Sequence, residues 1–177
     1  MTSSPPATDA PSTGTQRDGQ RDFDFALGRW EFHLRRLRDP LTGSSDWVEY
    51  RGESHARPLW EGRANIDEVR IESAEGEVIE GLTLRIYNRE TGEWSLYWAN
   101  ARNGTLSLPP TVGTFAEDGH GEFYDREELN GRSILVRFVW SDITPTTAHF
   151  EQSFSEDDGQ SWEVNWISDQ TRIADPA

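Results

Sequence analysis

The sequence predicts an all-β protein, an antiparallel up-and-down β-barrel of about nine strands. Three observations carry that expectation. Eight tryptophans fall mostly at every-second-residue spacing within runs that alternate apolar and polar side chains, the period of a strand with one buried face. Turn chemistry separates these runs, as at Asn88-Arg89-Glu90-Thr91-Gly92 and Asn130-Gly131. Hardly any window repeats apolar residues at helical spacing. A chain of 177 residues buries roughly 70% of the surface its unfolded form exposes, which suits one domain.

Residues 1–21 are rich in Ser, Thr, Pro, Gly and Asp and read as a disordered tail, which leaves residues 22–177 as the barrel domain. A short helical turn is expected over 22–27, where Phe23 and Leu27 are four apart and Gly28 can end it. The first strand then places Trp30, Phe32 and Leu34 on one face. Its hairpin with the next strand keeps small and apolar residues inside if Trp30 faces Ala56, Phe32 faces Ser54, Leu34 faces Gly52 and Arg36 faces Tyr50. A one-residue shift would bury Glu49, Arg51, Glu53 and His55 instead.

Four further hairpins follow from matching apolar residues across each turn. Around residues 88–92, Leu84 falls opposite Trp98, Ile86 opposite Leu96, Leu82 opposite Asn100 and Glu80 opposite Arg102. The Asn130-Gly131 pair signals a type I′ turn that sets Phe123 against Phe138, Asp125 against Val136 and Glu127 against Ile134. Around residues 143–147, Trp140 faces Phe150, Phe138 faces Gln152 and Val136 faces Phe154. Across the last turn, Phe154 is expected opposite Trp162, Gln152 opposite Val164 and Phe150 opposite Trp166. Consecutively paired strands with one apolar face must close or pack on a second sheet, and closure also removes the edges. A two-sheet sandwich is the alternative architecture.

Composition excludes several chemistries. A net charge of −15 and a pI of about 4.6 disfavour nucleic acid and anionic membranes as partners. All seventeen basic residues are arginine, so Schiff-base chemistry on lysine is absent. No cysteine means no thiol nucleophile, disulfide or Cys-ligated metal. Neither a signal peptide nor a span of roughly 20 apolar residues is visible, so a soluble cytoplasmic protein is expected. No nucleophile elbow, phosphate loop, zinc-protease or dinucleotide motif occurs. The four histidines, His33, His55, His120 and His149, lack ligand spacing, and no metal site or cofactor is expected.

The chemical interest lies in polar residues placed on the apolar face: Arg36, Tyr50, Glu80, Asn100, Arg102, Asp125, Glu127 and Gln152. An unpaired polar group inside a barrel costs about 1 to 3 kcal/mol, so each needs a partner, water or a ligand. Glu80 and Arg102 are expected to form an internal ion pair. Asp125, flanked by Phe123 and facing Val136, is the candidate general acid/base, because desolvation raises a carboxyl pKa. Trp98, Phe138, Trp140 and Trp166 are the candidate lining, with Arg36, Tyr50, Asn100, Arg102 and Gln152 as polar ligand contacts.

Two stretches resemble known proteins. Ser155-Glu156-Asp157-Asp158-Gly159-Gln160-Ser161-Trp162 resembles an Asp-box, a structural hairpin motif of sialidases; one copy supports a hairpin and no glycosidase activity. The opening Asp22-Phe23-Asp24-Phe25-Ala26-Leu27-Gly28-Arg29-Trp30, the Tyr87-Asn88 turn with Trp94 and Trp98, and that terminal hairpin resemble the DUF1579-type, calycin-like bacterial proteins. The resemblance implies a lipocalin-like barrel holding a small lipophilic or aromatic molecule. Gly28-Arg29-Trp30-Glu31-Phe32 lacks the later glycines of the haem-binding nitrobindin motif, so it implies no haem. The functional expectation is a binder of a small, largely apolar ligand. The alternatives are a cofactor-free cyclase or isomerase, in which Asp125 moves the proton while Arg102 and Asn100 polarise an oxygen, and an interaction protein. A homodimer is left open.

Overall fold

The computed structural model describes residues 18–173. Eleven strands make one antiparallel sheet: β1 (Gly28–Leu37), β2 (Trp47–Leu59), β3 (Ala64–Ser73), β4 (Val78–Asn88), β5 (Glu93–Asn100), β6 (Thr105–Leu106), β7 (Thr111–Phe115), β8 (Gly121–Leu129), β9 (Arg132–Ser141), β10 (Thr147–Ser155) and β11 (Glu163–Arg172). Each long strand pairs with its sequence neighbour, β5 passes to β7, and β1 pairs with β11. The result is a closed up-and-down barrel of ten strands, with β6 added outside on β5. This replaces the expected nine strands, and a continuous closed ring rules out the sandwich.

One end of the barrel is plugged by the chain that enters it. A 3-10 turn at Asp24–Ala26, within the helical turn expected from the sequence, ends at Gly28, whose φ of 97° suits glycine. Phe23 is wholly buried and meets Trp94 edge-on at 5.1 Å and Phe115 at 4.9 Å. Around it pack Tyr87, Leu96, Phe123, Trp140 and Ala148. Arg172, at the end of β11, donates to the carbonyls of Leu27 at 2.6 Å and Phe25 at 2.7 Å, with its guanidinium 4.4 Å over Trp30. Residues 18–21 are held as well: Gly19 N–H donates to the Tyr87 hydroxyl and Trp94 Nε1 donates to the Gly19 carbonyl. The ordered domain therefore starts before residue 22; the rest of the expected tail, 1–17, lies outside the described residues.

Hairpin registers agree with the sequence where both faces differ sharply. Asn130 and Gly131 take positive φ values of 52° and 77°, and Phe123, Asp125 and Glu127 stand opposite Phe138, Val136 and Ile134. Trp140, Phe138 and Val136 stand opposite Phe150, Gln152 and Phe154. In the first hairpin the face is as expected, but partners are displaced by two: Trp30 meets Ser54, Phe32 meets Gly52 and Leu34 meets Tyr50.

Two further registers are corrected, and in these the face changes as well. In β11 an irregularity beside Gln152 sets Gln152 opposite Trp166 and Ser153 opposite Val164, so Asn165 is the extra residue. This bulge reverses the face of everything before it. Phe150 meets Ser168 instead of Trp166, and Trp162 and Val164 face outward, with the Arg137 guanidinium 4.5 Å from the Trp162 ring.

In β4 the face is opposite to that expected. Thr83 meets Trp98, Arg85 meets Leu96 and Gly81 meets Asn100, so Leu82, Leu84 and Ile86 point outward. Buried Arg85 explains it, donating to Asp67 Oδ2 at 2.6 Å and Asn65 Oδ1 at 2.9 Å from inward positions of β3, 5.1 Å from the Phe23 ring. Glu80 consequently lies on the exposed outer face, and no Glu80–Arg102 pair forms inside.

Removing one member of a buried pair leaves the other charge uncompensated, at about 3–5 kcal/mol. Asp67→Ala is therefore expected to lower unfolding stability by about that amount, while Asp67→Leu combined with Arg85→Leu loses less than the two single changes summed. Urea denaturation checks this; a loss under about 1 kcal/mol for Asp67→Ala contradicts it.

Candidate functional site

The other end of the barrel is built differently. It carries the β1/β2 loop, the β3/β4 turn, residues 101–110, the β8/β9 turn and the β10/β11 turn. The β1/β2 loop folds inward because Arg38 is tied to Asp46 at 2.9 Å and the Leu41 N–H donates to Glu163 Oε1 at 2.6 Å. Beneath it lies a cavity of about 310 Å³ lined by Arg36, Pro40, Thr42, Leu129, Gln152, Phe154 and Asn165, the lower limit of a small-molecule site. Gln152 Nε2 donates to Asn165 Oδ1 at 2.7 Å, so the bulge that reversed β11 also supplies the partner of the central inward glutamine.

Below this mouth the inward-facing side chains are packed less completely than at the plugged end. Phe32, Trp98, Asp125, Glu127, Phe138, Gln152 and Trp166 are each half-buried, whereas Phe23, Trp94 and Phe123 are fully buried. Trp98 and Trp166 lie against Leu34, Val48, Tyr50, Ile71 and Ile79. Room for the Trp98 ring comes from Gly81, where a Cβ would stand 2.6 Å from Trp98 Cζ2. Accessible aromatic surface on the inner face is apolar surface available to a flat ligand.

Asp125 points into the barrel interior from β8, opposite Val136. Its Oδ2 accepts from Thr111 Oγ1 at 3.0 Å, while Oδ1 is shielded from solvent with no protein partner. Burial, then the Glu127 carboxyl two residues along the same face, push Asp125 up to about 7, against the Thr111 hydrogen bond. Burial also raises Glu127.

Of the residues expected to line a site, Arg36, Trp98, Asp125, Gln152 and Trp166 come together on the inner face toward this mouth, whereas Phe138 points inward but stands opposite Phe123 and packs with Phe150 against the plugged end. Tyr50 also points inward but is 1% exposed and belongs to the wall, its hydroxyl pushed up by burial and by the Glu77 carboxylate. Trp140 points inward at the plugged end, packed among Phe25 and Phe150. Asn100 ends β5 at the rim, where its side-chain oxygen accepts the Arg102 N–H at 2.9 Å. Arg102 is exposed in the following turn, beyond the last barrel pair of β5, and does not reach the interior. Sequence reasoning passed over Asn165 and Thr111, and β3 carried the missed signal: with Glu68, Arg70 and Glu72 outward, Asn65 and Asp67 must be inward and require a cation there.

A larger groove of about 530 Å³ runs over the outer surface past Arg29, Glu53, Glu68, Leu82 and Ala99. Its two arginines are paired, Arg29 with Glu53 at 2.7 Å and Arg70 with Glu72 at 3.3 Å, and among the described residues none of its lining side chains has a buried polar atom without a partner. Among the described residues no helix is long and apolar enough to cross a membrane. The outward side chains of β1–β3 include Glu31, Arg35, Glu49, Arg51, Glu68 and Arg70, where a lipid-facing barrel carries an apolar band.

No protein-family model and no curated protein matches the chain. Among solved structures it is similar to de novo designed β-barrels. One is a fluorescence-activating barrel, 16% identical over 89% of this chain and 100% of the design, with a TM-score of 0.45. The designs mFAP2b and mFAP0, each bound to DFHBI, are 11% and 12% identical, cover 88% and 84% of this chain and 99% of their own, and have TM-scores of 0.49 and 0.47. What those designs bind is a property of the designs.

The Asp125 environment fixes a pH dependence. In the unfolded chain the group releases its proton near pH 3.9; in the folded protein it holds it to about 7. A raised carboxyl pKa favours the folded state when protonated, so its contribution is fully present below about pH 4 and is lost as pH rises through about 7. Asp125→Asn is therefore expected to melt several degrees above the parent at pH 8, with the gap closing toward pH 4. Thermal denaturation of both proteins across that range checks it; a pH-independent gap, or a less stable variant at pH 8, contradicts it.

Proposed function

We propose that the protein binds a small, largely apolar, flat molecule in the half of the barrel beneath the open mouth. The observation that carries this reading is the contrast between the two ends. The plugged end is filled by interlocking aromatic rings, while inward Trp98 and Trp166 in the other half are only half-buried and a 310 Å³ cavity opens at the mouth beside Gln152 and Phe154. Indole and phenyl faces give the ligand apolar contact, and Gln152 and Arg36 offer hydrogen bonds near the entrance. Membership of the DUF1579-type, calycin-like proteins belongs to the same reading, supported by the Asp22–Trp30 opening and the Asp-box hairpin.

A second reading, proton transfer on the bound molecule, is favoured by one observation: a carboxyl held at about 7 is poised to give or take a proton near neutrality. It loses the polarising pair first expected, because Arg102 is exposed and the Asn100 oxygen is occupied. Asp125 alone would carry the step.

A neutral aromatic probe such as 2-naphthol tests the binding reading by calorimetric titration. It is expected to bind with 1:1 stoichiometry, and Trp166→Ala to weaken it roughly tenfold, about 1.4 kcal/mol, while Ala99→Ser in the outer groove changes nothing. Failure of the parent to bind, or loss on Ala99→Ser instead, contradicts it.

A further inference from the structure

Among the described residues, the two carboxyls inside the open half have no counter-cation. Asp125 and Glu127 occupy successive inward positions of β8, about 7 Å apart along the strand. From the strands that flank them, β7 presents Thr111 and β9 presents Val136 and Ile134, none of them charged. Arg126, between them in sequence, points outward and pairs with Asp158 at 2.7 Å. The inward arginines near enough to matter are committed elsewhere: Arg85 to Asp67 and Asn65, and Arg36 toward Glu77 at 3.8 Å. Glu127 is the charge that acts on Asp125.

A carboxylate oxygen that is buried without a donor is expensive to keep, and here Asp125 Oδ1 is such an atom. Next to it along the inner face stand Phe123 on its own strand and Phe138 on β9, and phenyl and indole faces attract cations. An anion-bearing ligand would be repelled by both carboxyls. A neutral ligand would leave the Asp125 proton in place. A ligand ammonium does what neither can: it donates to Oδ1 and compensates the charge of the ionised pair, while its apolar body lies on the rings.

We infer that the ligand of the barrel interior is an aromatic or otherwise flat amine, its protonated nitrogen seated on the Asp125 and Glu127 carboxyls. This rests on the binding reading above and specifies the ligand's charge. Since the ammonium takes the place of a carboxyl proton, binding is coupled to proton release, and amine affinity rises with pH as Asp125 ionises, whereas neutral-ligand affinity does not.

The test compares two probes of equal shape, 2-naphthylmethylamine and 2-naphthylmethanol, titrated into the full chain by calorimetry from pH 5.5 to 8.5. At pH 8 the amine is expected to bind at least tenfold more tightly than the alcohol, with its advantage shrinking toward pH 5.5. At pH 6.5, titrations in buffers of different ionisation enthalpy are expected to show net proton release. Asp125→Asn, confirmed folded by its near-ultraviolet circular dichroism, should bring the amine down to the level at which the variant binds the alcohol; Glu127→Gln, an independent variant, should remove part of the advantage. Equal binding of both probes at every pH overturns the amine assignment and leaves the binding reading standing. Binding of neither overturns both.

Discussion

The buried pair of Arg85 and Asp67 is the constraint around which the barrel is arranged. Once Asp67 and Asn65 are inward on β3, a cation must be inward beside them, and β4 supplies it only by turning Arg85 into the barrel. That choice sends Leu82, Leu84 and Ile86 outward, brings Gly81 beneath Trp98, and sets Tyr87 against Trp94 at the plugged end. The guanidinium also lies against the face of Phe23, so the pair links the wall to the plug. A buried ion pair is weak evidence for stability in itself; here its consequence is register, because a one-residue slip of β4 would expose the pair and bury three aliphatic side chains in its place.

From that register follows the asymmetry of the interior. Aromatic side chains of the plug and of β4, β5, β7, β8 and β9 interlock at one end, where edge-on ring contacts fill space efficiently. At the other end the wall residues are held by Leu34, Tyr50, Ile71 and Ile79, and the β1/β2 loop spans the opening through a few polar ties rather than filling it. In this half Gln152 is paired with Asn165, whereas Asp125 Oδ1 and the Ser168 hydroxyl are buried without a protein partner. Shape, aromatic surface and an unpaired carboxyl oxygen thus meet in one region.

How much of this was legible in the sequence depended on whether a pairwise argument had enough information. The β8/β9 and β9/β10 hairpins were readable because Asn130-Gly131 fixes a turn and because Phe123, Phe138, Trp140 and Phe150 share one face with charge on the other. The β4/β5 hairpin was not, since both faces of β4 carry aliphatic residues and the deciding partner of Arg85 stands on β3, outside the hairpin being aligned. In β11 a single inserted residue, Asn165, inverted Trp162 and Val164 without any glycine or proline to announce it. Asp125 and Gln152 were found because their hairpins were right; Arg102 was misplaced because its hairpin was wrong.

The central claim is that the open half of the barrel interior, and not the outer groove, receives a small aromatic molecule. A crystal of the protein soaked with 6-bromo-2-naphthol and measured at the bromine absorption edge tests it most directly. The expected result is an anomalous peak inside the barrel, among Trp98, Gln152 and Trp166. A peak confined to the outer groove beside Leu82 and Ala99, or an interior closed by the same side chains with no bromine in it, would contradict the claim.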